Sequence, residues 1–322
     1  MGTSDEIRIR AGTLKGDYVD HWGHVWQPDR FFHGGNEKLD PKDLPGQPPD
    51  ADLFQTMRAG DDFSYDIPVK KGAYELRLYC AEPFYRSIQE PGHGGENDRH
   101  FTVSLNGRAL LQDFDITSDA GFLPITIRAF KDVVPATDGM IHLRFFSGSE
   151  ALVNAIEIIP GIPGRMQPIR LRAGQSSYTD HDGNIWSADN YFFMGRVDAI
   201  KGSVSGTHDP DLYDSERYGN FTYAIPVPPG TYSVTLRFAE TWVGPQGTDG
   251  GGIGSRVFNV SCNGTNLLTN FDIYKEAKGA FLAVDKTFHG LTPNGQGKLL
   301  INFSPVEEYA EVRAIEVIDE SK

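Results

Sequence analysis

Aromatic side chains in turn-rich segments are the residues of this chain best suited to contact a ligand. They occupy three positions, each present in both halves of the sequence: Trp26 and Trp186; Phe54 and Tyr213; and, after an Ala-Glu pair, Phe84, Tyr85 and Trp242. Aromatic planes stack on the apolar C–H faces of sugar rings, and the sugar hydroxyls bond to Asp, Glu, Asn and Arg. Capping of a hydrophobic core is the alternative role for each of these aromatics.

Two glutamates, Glu82 and Glu240, flank the third aromatic group and add an acidic side chain to each candidate site. As catalysts they would each need a second carboxylate at the spacing of a glycoside hydrolase, and none is paired with both. A hydrogen-bonded structural role is the alternative for them. Arg58 and Arg217 could bind hydroxyls or form structural ion pairs. We therefore predict binding without catalysis, and not an enzyme.

Histidines and acidic loops suggest a metal site, but a comparison of the two halves does not support one. The candidate histidines all lie in the first half: His21, His24, His33, His93 and His100. Of these, only His21 has a counterpart in the second half, whereas a metal site should keep its ligands. The segment Asp180-His-Asp182-Gly-Asn184 has oxygen-rich spacing, but an Asx-turn explains it equally well. We predict no cofactor and no metal ligands, and the sequence does not support structural calcium.

The segments that carry these residues are written twice. Residues 7–160 and 169–319 share one pattern, so that Tyr18-Val-Asp-His through Trp26 recurs as Tyr178-Thr-Asp-His through Trp186. A repeat of this length is too long for a solenoid unit and suits a whole domain. We therefore predict one domain at 1–160, a Pro/Gly linker at 161–168 and a second domain at 169–322.

Strand patterns dominate both halves. Side chains alternate between apolar and polar at 73–80, 101–105, 231–238 and 258–262, which predicts half-buried strands. In the first of these, Glu75, Arg77 and Tyr79 are expected on the outer face. Asn106-Gly107 and Asn263-Gly264 are hairpin signals. With 36 glycines, 20 prolines and no helical periodicity over a dozen residues, the chain is predicted to be all-β. The expected architecture is two tandem β-sandwich domains of the jelly-roll, galactose-binding-like type.

Composition restricts the partners. The 44 acidic residues outnumber the 30 basic ones, giving a net charge of −14. This argues against nucleic acid or an anionic membrane as the partner. No apolar run is long enough for membrane insertion, and no signal peptide begins the chain. We expect a part of a larger protein, located outside the cell, in a periplasm or at the cell surface.

An ordered set of motifs in the second half resembles the malectin domain. The motifs are Tyr178-x-Asp-x-x-Gly-x-x-Trp186, Asp211-Leu-Tyr213-x-x-Glu-Arg-Tyr218-Gly, Phe221-x-Tyr223-x-Ile-Pro-Val227, Leu236-x-Phe-Ala-Glu240 and Ala314-Ile-Glu-Val317. The resemblance extends over nearly the whole chain, twice, and the second copy is the closer match. It implies β-sandwich modules that bind glucose-containing disaccharides through an aromatic cluster and one aspartate. Such modules occur in bacterial carbohydrate-active enzymes and, as tandem pairs, in plant receptor-kinase ectodomains.

The resemblance also implies ligand-facing residues in each copy. In the second copy they are Trp186, Tyr213 and Trp242, with the family's aspartate falling near Glu307 or Glu308. In the first copy they are Trp26, Phe54, Phe84 and Tyr85, with Ser149 or Glu150 at the position of the aspartate.

The prediction is therefore non-catalytic carbohydrate binding by two malectin-like domains. The expected partners are glucose-containing oligosaccharides or plant or microbial polysaccharides, with a catalytic or receptor domain fused in the parent protein. The alternative is a protein-interaction or adhesion module whose sugar clefts have degenerated.

Overall fold

The computed structural model describes residues 6–39, 49–82, 96–121, 125–244 and 250–321. The chain divides into two compact units, residues 1–166 and 167–322, and this boundary lies within the predicted linker. Most described elements are strands, which confirms the all-β prediction. Phe84 and Tyr85, two of the predicted ligand-facing residues, lie outside the described residues.

The first domain is built from two sheets. Its described strands are β1 (Ile7–Arg10), β2 (Tyr18–Val19), β3 (Val25–Pro28), β4 (Phe32–Leu39), β5 (Thr56–Pro68), β6 (Tyr74–Ala81), β7 (Phe101–Leu105), β8 (Arg108–Phe114), β9 (Ile125–Val133), β10 (Met140–Val153) and β11 (Ala155–Pro160). One sheet has the order β2-β3-β1-β11-β6-β9 and the other β4-β5-β10-β7-β8. A short 3-10 helix, Ala51–Phe54, precedes β5, and helix α1 (Ile116–Ala120) precedes β9.

The second domain repeats this plan. Its described strands are β12 (Ile169–Arg172), β13 (Tyr178–Thr179), β14 (Ile185–Trp186), β15 (Phe192–Ala199), β16 (Ser215–Pro226), β17 (Tyr232–Phe238), β18 (Val257–Cys262), β19 (Thr265–Phe271), β20 (Val284–Leu291), β21 (Lys298–Glu307), β22 (Ala310–Val312) and β23 (Ala314–Asp319). The sheets have the orders β12-β23-β17-β20 and β15-β16-β21-β18-β19; β22 also pairs with β16, and β13 and β14 form a hairpin. The 3-10 helix Pro210–Tyr213 precedes β16, and helix α2 (Ile273–Ala277) precedes β20.

The core of the first domain lies between its two sheets, because apolar residues of β1, β6 and β11 join those of β5, β7 and β10 in one buried cluster. Cross-strand aromatic pairs recur at equivalent positions. Phe63 and Phe145 are stacked with ring centroids 4.8 Å apart, and Phe221 and Phe303 with centroids 4.5 Å apart. The register places each pair directly opposite in its sheet. Directly opposed aromatic pairs stabilise sheets beyond the area that they bury.

Both domains share a buried Asp–Arg–Tyr cluster that joins a loop to the second sheet. In the first domain, Asp29 accepts hydrogen bonds from Arg58 Nε at 2.8 Å and from the Tyr65 hydroxyl at 2.9 Å. The second domain has the same contacts at its equivalent residues, Asp189, Arg217 and Tyr223. Arg58 and Arg217 could have bound ligand hydroxyls or formed structural ion pairs. These contacts support the structural ion pairs.

One expectation about β6 is wrong. Its outer-face residues are buried: Glu75 is 3% exposed, and Arg77 and Tyr79 are each 7% exposed. Arg77 Nη1 lies 3.1 Å from Glu157, and the Tyr79 hydroxyl donates to the same carboxylate at 3.0 Å. Alternation along a strand fixes which way a side chain points, but not whether something else covers that face.

Candidate functional site

The two tryptophans predicted to face a ligand lie in the cores. Trp26 is 2% exposed and Trp186 1% exposed. Each indole N–H donates to an aspartate at 2.9 Å, Trp26 to Asp20 and Trp186 to Asp180. Burial opposes the charge of Asp180, yet its hydrogen bonds, the one from Trp186 first, lower its pKa to about 2. The polar tip of each indole is therefore satisfied, and its faces are covered by protein, which corrects the predicted stacking role.

Phe54 and Tyr213 lie in the cores as well. Each ends a 3-10 helix that turns inward, leaving Phe54 5% and Tyr213 1% exposed. Tyr213 packs in one buried cluster with Trp186. Its hydroxyl donates to Asp285 at 2.7 Å, and burial raises the pKa of Tyr213.

Glu82 and Glu240 form buried ion pairs instead of an exposed acidic edge. Glu82 is 2.9 Å from Arg99, and Glu240 is 2.8 Å from Arg256. Glu240 has a second structural task, since its other oxygen accepts hydrogen bonds from the backbone N–H groups of Trp242 at 2.8 Å and of the next residue at 2.9 Å. It therefore positions Trp242 and is not itself available to a ligand.

Trp242 and Glu308 are the two predicted residues that the structure brings together. Both line a cleft of about 320 Å³ in the second domain. Trp242 is 41% exposed, in contrast to the other predicted aromatics that the structure describes. Their shared position keeps both in the candidate site, and their contact with a ligand remains a prediction.

Five further residues of the cleft were not identified from the sequence: Asp198, Glu216, Tyr218, Arg256 and Tyr309. Tyr218 lies within one of the motifs that carry the family resemblance, and Tyr309 directly follows the expected position of the family's aspartate. They were passed over because the first half has Ala59 and Glu150 at these places. A search for aromatics present in only one copy would have found them.

Strand geometry explains how these residues meet. Glu216 and Tyr218 are two residues apart on β16 and so lie on one face of its sheet, and Asp198 on β15 is directly opposite Glu216. Glu308 and Tyr309 lie in the interruption between β21 and β22, both of which pair with β16. Such bulges redirect side chains at the edges of sites. The rings of Tyr218 and Tyr309 have centroids 5.7 Å apart and are tilted by 56°.

A group of charged residues, here called the ionic layer, lies beside the cleft. Two of its members, Glu216 and Arg256, line the cleft, and the others are buried and do not line it. The layer consists of Glu216, Glu240, Arg256, Glu311 and Arg313. Arg313 is fully buried and lies 2.6 Å from Glu216 and 2.9 Å from Glu311. Three carboxyl groups thus share two guanidinium groups.

The pKa values of the carboxyl groups respond to this imbalance in opposite directions. Burial raises the pKa of Glu311 well above its usual range, because the attraction of Arg313 does not fully offset desolvation and the carboxylate of Glu216 repels a second charge. Burial also opposes the ionisation of Glu216, but the attraction of Arg313 is strong enough to lower its pKa. Glu311 is therefore the member of the layer whose ionisation is the least favourable.

This arrangement is absent from the described residues of the first domain. Three lining positions of the cleft carry other residues there: Lys38 for Asp198, Ala59 for Tyr218 and Glu150 for Tyr309. Glu150 is paired with Lys38 and with Arg99, the latter at 2.9 Å. At this place the described part of the first domain presents ion-paired side chains instead of tyrosines.

The described ranges contain neither a candidate metal site nor a candidate membrane span. No group of three or more His, Cys, Asp or Glu side chains there is arranged to hold a metal ion. Among the described residues, no helix is both long and apolar enough to cross a membrane.

Comparison with curated proteins finds relatives that contain a short matching region. A kinesin-like protein of Oryza sativa subsp. japonica is 34% identical over 121 residues, which are 34% of this chain and 10% of that protein. A probable receptor-like protein kinase of Arabidopsis thaliana is 31% identical over 101 residues, which are 30% of this chain and 12% of that protein. The matches thus cover only a small part of these relatives.

Comparison with solved structures finds plant receptor ectodomains. The plant receptor-like kinase FER matches with a TM-score of 0.50 at 19% identity, over 98% of this chain and 96% of that one. A structure of the plant peptide RALF23 in complex with FER and LLG2 has a TM-score of 0.46 at 19% identity, over 98% and 94% of the two chains. At these identities the likeness concerns the fold alone.

The family itself is shown by sequence. The family model of the malectin domain matches residues 7–161 and again residues 168–315. The two matches coincide with the two compact units and confirm the resemblance. This chain belongs to the malectin-domain family and contains two copies of that domain.

Proposed function

We propose that this chain is a non-catalytic binding protein and that the cleft of its second domain binds an oligosaccharide. The observation that carries the proposal is the set of three aromatic side chains around one cleft: Tyr218, Trp242 and Tyr309. They come from three separate elements and converge on one space. Sugar rings require this combination of flat apolar surfaces and nearby polar groups.

The exposure of these rings supports a ligand role over a core role. Trp242 is 41% and Tyr309 53% exposed, although burying a large aromatic ring stabilises a protein by several kcal/mol. Neither ring fills the core in the way that Trp186 does. Ordered groups also hold them in place, since Glu240 fixes the backbone of Trp242 and Arg256 donates to the carbonyl of Tyr309 at 3.2 Å.

The two domains are proposed to differ in this function. The first domain has Ala59 and the ion-paired Glu150 where the second has tyrosines. Its predicted Phe84 and Tyr85 lie outside the described residues, so their contribution to a first-domain site remains a prediction. We assign the principal site to the second domain.

The setting of this site is also proposed. The chain is taken to act outside the cell or at its surface, as a binding portion of a longer protein. Support comes from the receptor-like kinase among the curated relatives, which contains a matching region within a much longer chain. Sequencing the complete reading frame is the direct test, and a fused kinase or hydrolase domain would assign the role of the parent protein.

Calorimetry on the full chain tests the sugar proposal. The ligands are short α- and β-glucan oligomers together with pectic and galactan fragments. We expect heat with at least one oligomer and loss of at least about ten-fold in affinity for Trp242→Ala, because one stacked ring contributes on the order of 1–2 kcal/mol. Trp22→Ala is the matched control, since Trp22 is a partly exposed tryptophan of the first domain. Absence of binding to every oligomer overturns the proposal.

A protein or peptide partner is the second candidate function. The first-domain surface formed by Lys38, Arg99 and Glu150 is an array of charged pairs of the kind found at interface rims. A peptide is also present in the complex with FER described above. Capture of a defined peptide by the full chain that is unaffected by excess oligosaccharide and by Trp242→Ala would favour this candidate.

A further inference from the structure

We infer that the second-domain cleft selects an amino sugar, an oligosaccharide whose rings carry protonated amino groups. The inference rests on the proposed function and specifies the ligand class of the same site. It depends on two independent features of the cleft: a set of carboxylates without ion-pair partners, and aromatic faces directed into the same space.

The first feature emerges from the ion pairs of the lining residues. Arg256, the basic residue of the lining, is neutralised by Glu240 at 2.8 Å. Glu216 is held by Arg313 at 2.6 Å. The remaining acidic residues of the lining, Asp198 and Glu308, are exposed, and neither forms an ion pair within 4 Å among the described residues. Glu308 acts on Arg256 only as a more distant charge, one that helps to raise the pKa of Arg256 after the stronger effect of Glu240. The lining therefore carries more negative than positive charge.

The second feature is the aromatic wall. Tyr218 and Tyr309 form a corner, with ring centroids 5.7 Å apart and planes tilted by 56°, and Trp242 lines the same cleft. The faces of Tyr and Trp rings attract cations, and the attraction grows when the cation is partly desolvated. Carboxylates beside aromatic faces form an environment in which an ammonium group is favoured over a neutral group.

Two observations favour an amino sugar over a basic peptide side chain. The cleft of about 320 Å³ is at the lower end of ligand-pocket sizes, and its three aromatic residues offer more apolar area than one alkyl chain covers. In addition, the carboxylates of the lining come from separate elements, Asp198 from β15 and Glu308 from the segment between β21 and β22. An amino sugar supplies hydroxyl donors around its ring as well as an ammonium, whereas a lysine side chain has all three of its donors on one atom.

The first domain provides an internal contrast. It has Lys38 where the second domain has Asp198, and its Glu150 is occupied by Lys38 and Arg99. A cation would meet a lysine there. The charge preference is therefore expected of the second domain alone.

The test compares sugars that differ in charge but share ring and linkage. Affinities of the full chain are measured by calorimetry at about pH 5.5, where amino groups are protonated. The ligands are short β-1,4-linked oligomers of glucosamine, of N-acetylglucosamine and of glucose. We expect glucosamine oligomers to bind at least about ten-fold more tightly than either neutral series, with an advantage that shrinks as salt is added. Trp242→Ala should lose this binding.

Two charge-matched variants localise the effect. Asp198→Asn with Glu308→Gln should remove the glucosamine advantage, so that the glucosamine oligomers bind within about two-fold of the neutral series measured on the same variant. Asp17→Asn with Asp61→Asn removes the same charge from exposed positions of the first domain and should leave the advantage intact. Equal losses in both variants would show a general attraction to an acidic protein and overturn the inference.

The remaining outcomes separate the inference from the proposed function. If the glucose or N-acetylglucosamine series binds as tightly as the glucosamine series, the charge inference is wrong and the proposed function stands. If no oligosaccharide of either charge binds, the proposed function fails and the inference fails with it. If a lysine-rich peptide binds and no sugar does, the proposed function and the inference both fail. That result supports the second candidate function, binding of a protein or peptide.

Discussion

The two domains share one fold but differ in the buried side chains around the first residues of their equivalent strands β5 and β16. The second domain buries Glu216, Glu311 and Arg313, and the first has three other residues at the same register positions: Met57, Leu152 and Asn154. Met57 and Leu152 belong to the hydrophobic core. The same backbone fold therefore accommodates either buried charged side chains or mainly apolar side chains at these positions. Buried ion networks are often no more stabilising than apolar residues of similar volume. The ionic layer is thus better explained by the adjacent cleft than by the needs of the fold.

The largest effect is expected from removing one charge of the ionic layer alone. Arg313→Leu should lower the free energy of unfolding of the second domain by about 3–5 kcal/mol, because it leaves buried carboxylates without their cation. Urea denaturation of the full chain measures the effect. Asn154→Leu is the first-domain counterpart and should lower stability by about 1–3 kcal/mol, since it removes only neutral hydrogen bonds. Equal losses would contradict the distinction between the domains.

Residues that the two domains share should behave alike. Trp26→Ala and Trp186→Ala each delete a buried indole that donates to an aspartate at 2.9 Å. Each should lower the stability of its own domain by about 3–5 kcal/mol, whereas Trp242→Ala should change it by less than about 0.5 kcal/mol. Thermal and urea unfolding compare the three variants. A large loss of stability in Trp242→Ala would show that this ring belongs to the core.

The raised pKa of Glu311 should make the stability of the second domain depend on pH, whereas Leu152, its first-domain counterpart, cannot ionise. Burial raises the pKa of Glu311, so the folded domain keeps a proton that the unfolded chain releases. The resulting stability is fully present below the unfolded glutamate pKa of about 4.3 and is lost as pH rises through the raised folded value. Glu216, whose pKa Arg313 lowers against the effect of burial, acts in the opposite direction: its contribution is present above about pH 4.3 and is lost as pH falls.

Glu311→Gln isolates the first of these contributions, since it keeps the shape of the side chain but cannot ionise. Between about pH 5 and pH 8, the stability of the wild-type second domain should fall relative to that of the variant. Urea denaturation in a series of buffers measures the difference between the two profiles. Parallel profiles would show that Glu311 is ionised in the folded domain throughout this range.

Only a small effect on stability is expected when all three residues are exchanged together. Replacement of the second-domain residues by those of the first, Glu216→Met, Glu311→Leu and Arg313→Asn together, should change stability by less than about 1 kcal/mol or increase it. Oligosaccharide affinity should nevertheless fall, because Glu216 lines the cleft. A loss of more than about 3 kcal/mol would identify the ionic layer as a stabilising device of the second domain.

Sequence reasoning was most successful where the signals are local. Alternation predicted the strands that became β6, β7, β17 and β18 to within about two residues, and Asn106-Gly107 and Asn263-Gly264 join hairpin strands as predicted. It was least successful for the candidate site. Trp186 and Trp242 both lie next to turn-rich sequence, yet one is 1% and the other 41% exposed. Their surroundings come from residues far away in the chain, such as Ala314 beside Trp186.

The sequence by itself determined the family, the all-β fold and the use of that fold twice, because strand alternation, turn residues and an ordered set of motifs are properties of neighbouring residues. Only the tertiary structure decided which aromatics form a cleft and which fill a core. Tyr218, Trp242 and Tyr309 meet through the pairing of β16 with β22 and through the hydrogen bonds of Glu240. Such contacts between distant segments set both burial and charge, so the chemistry of the site is a property of the folded domain.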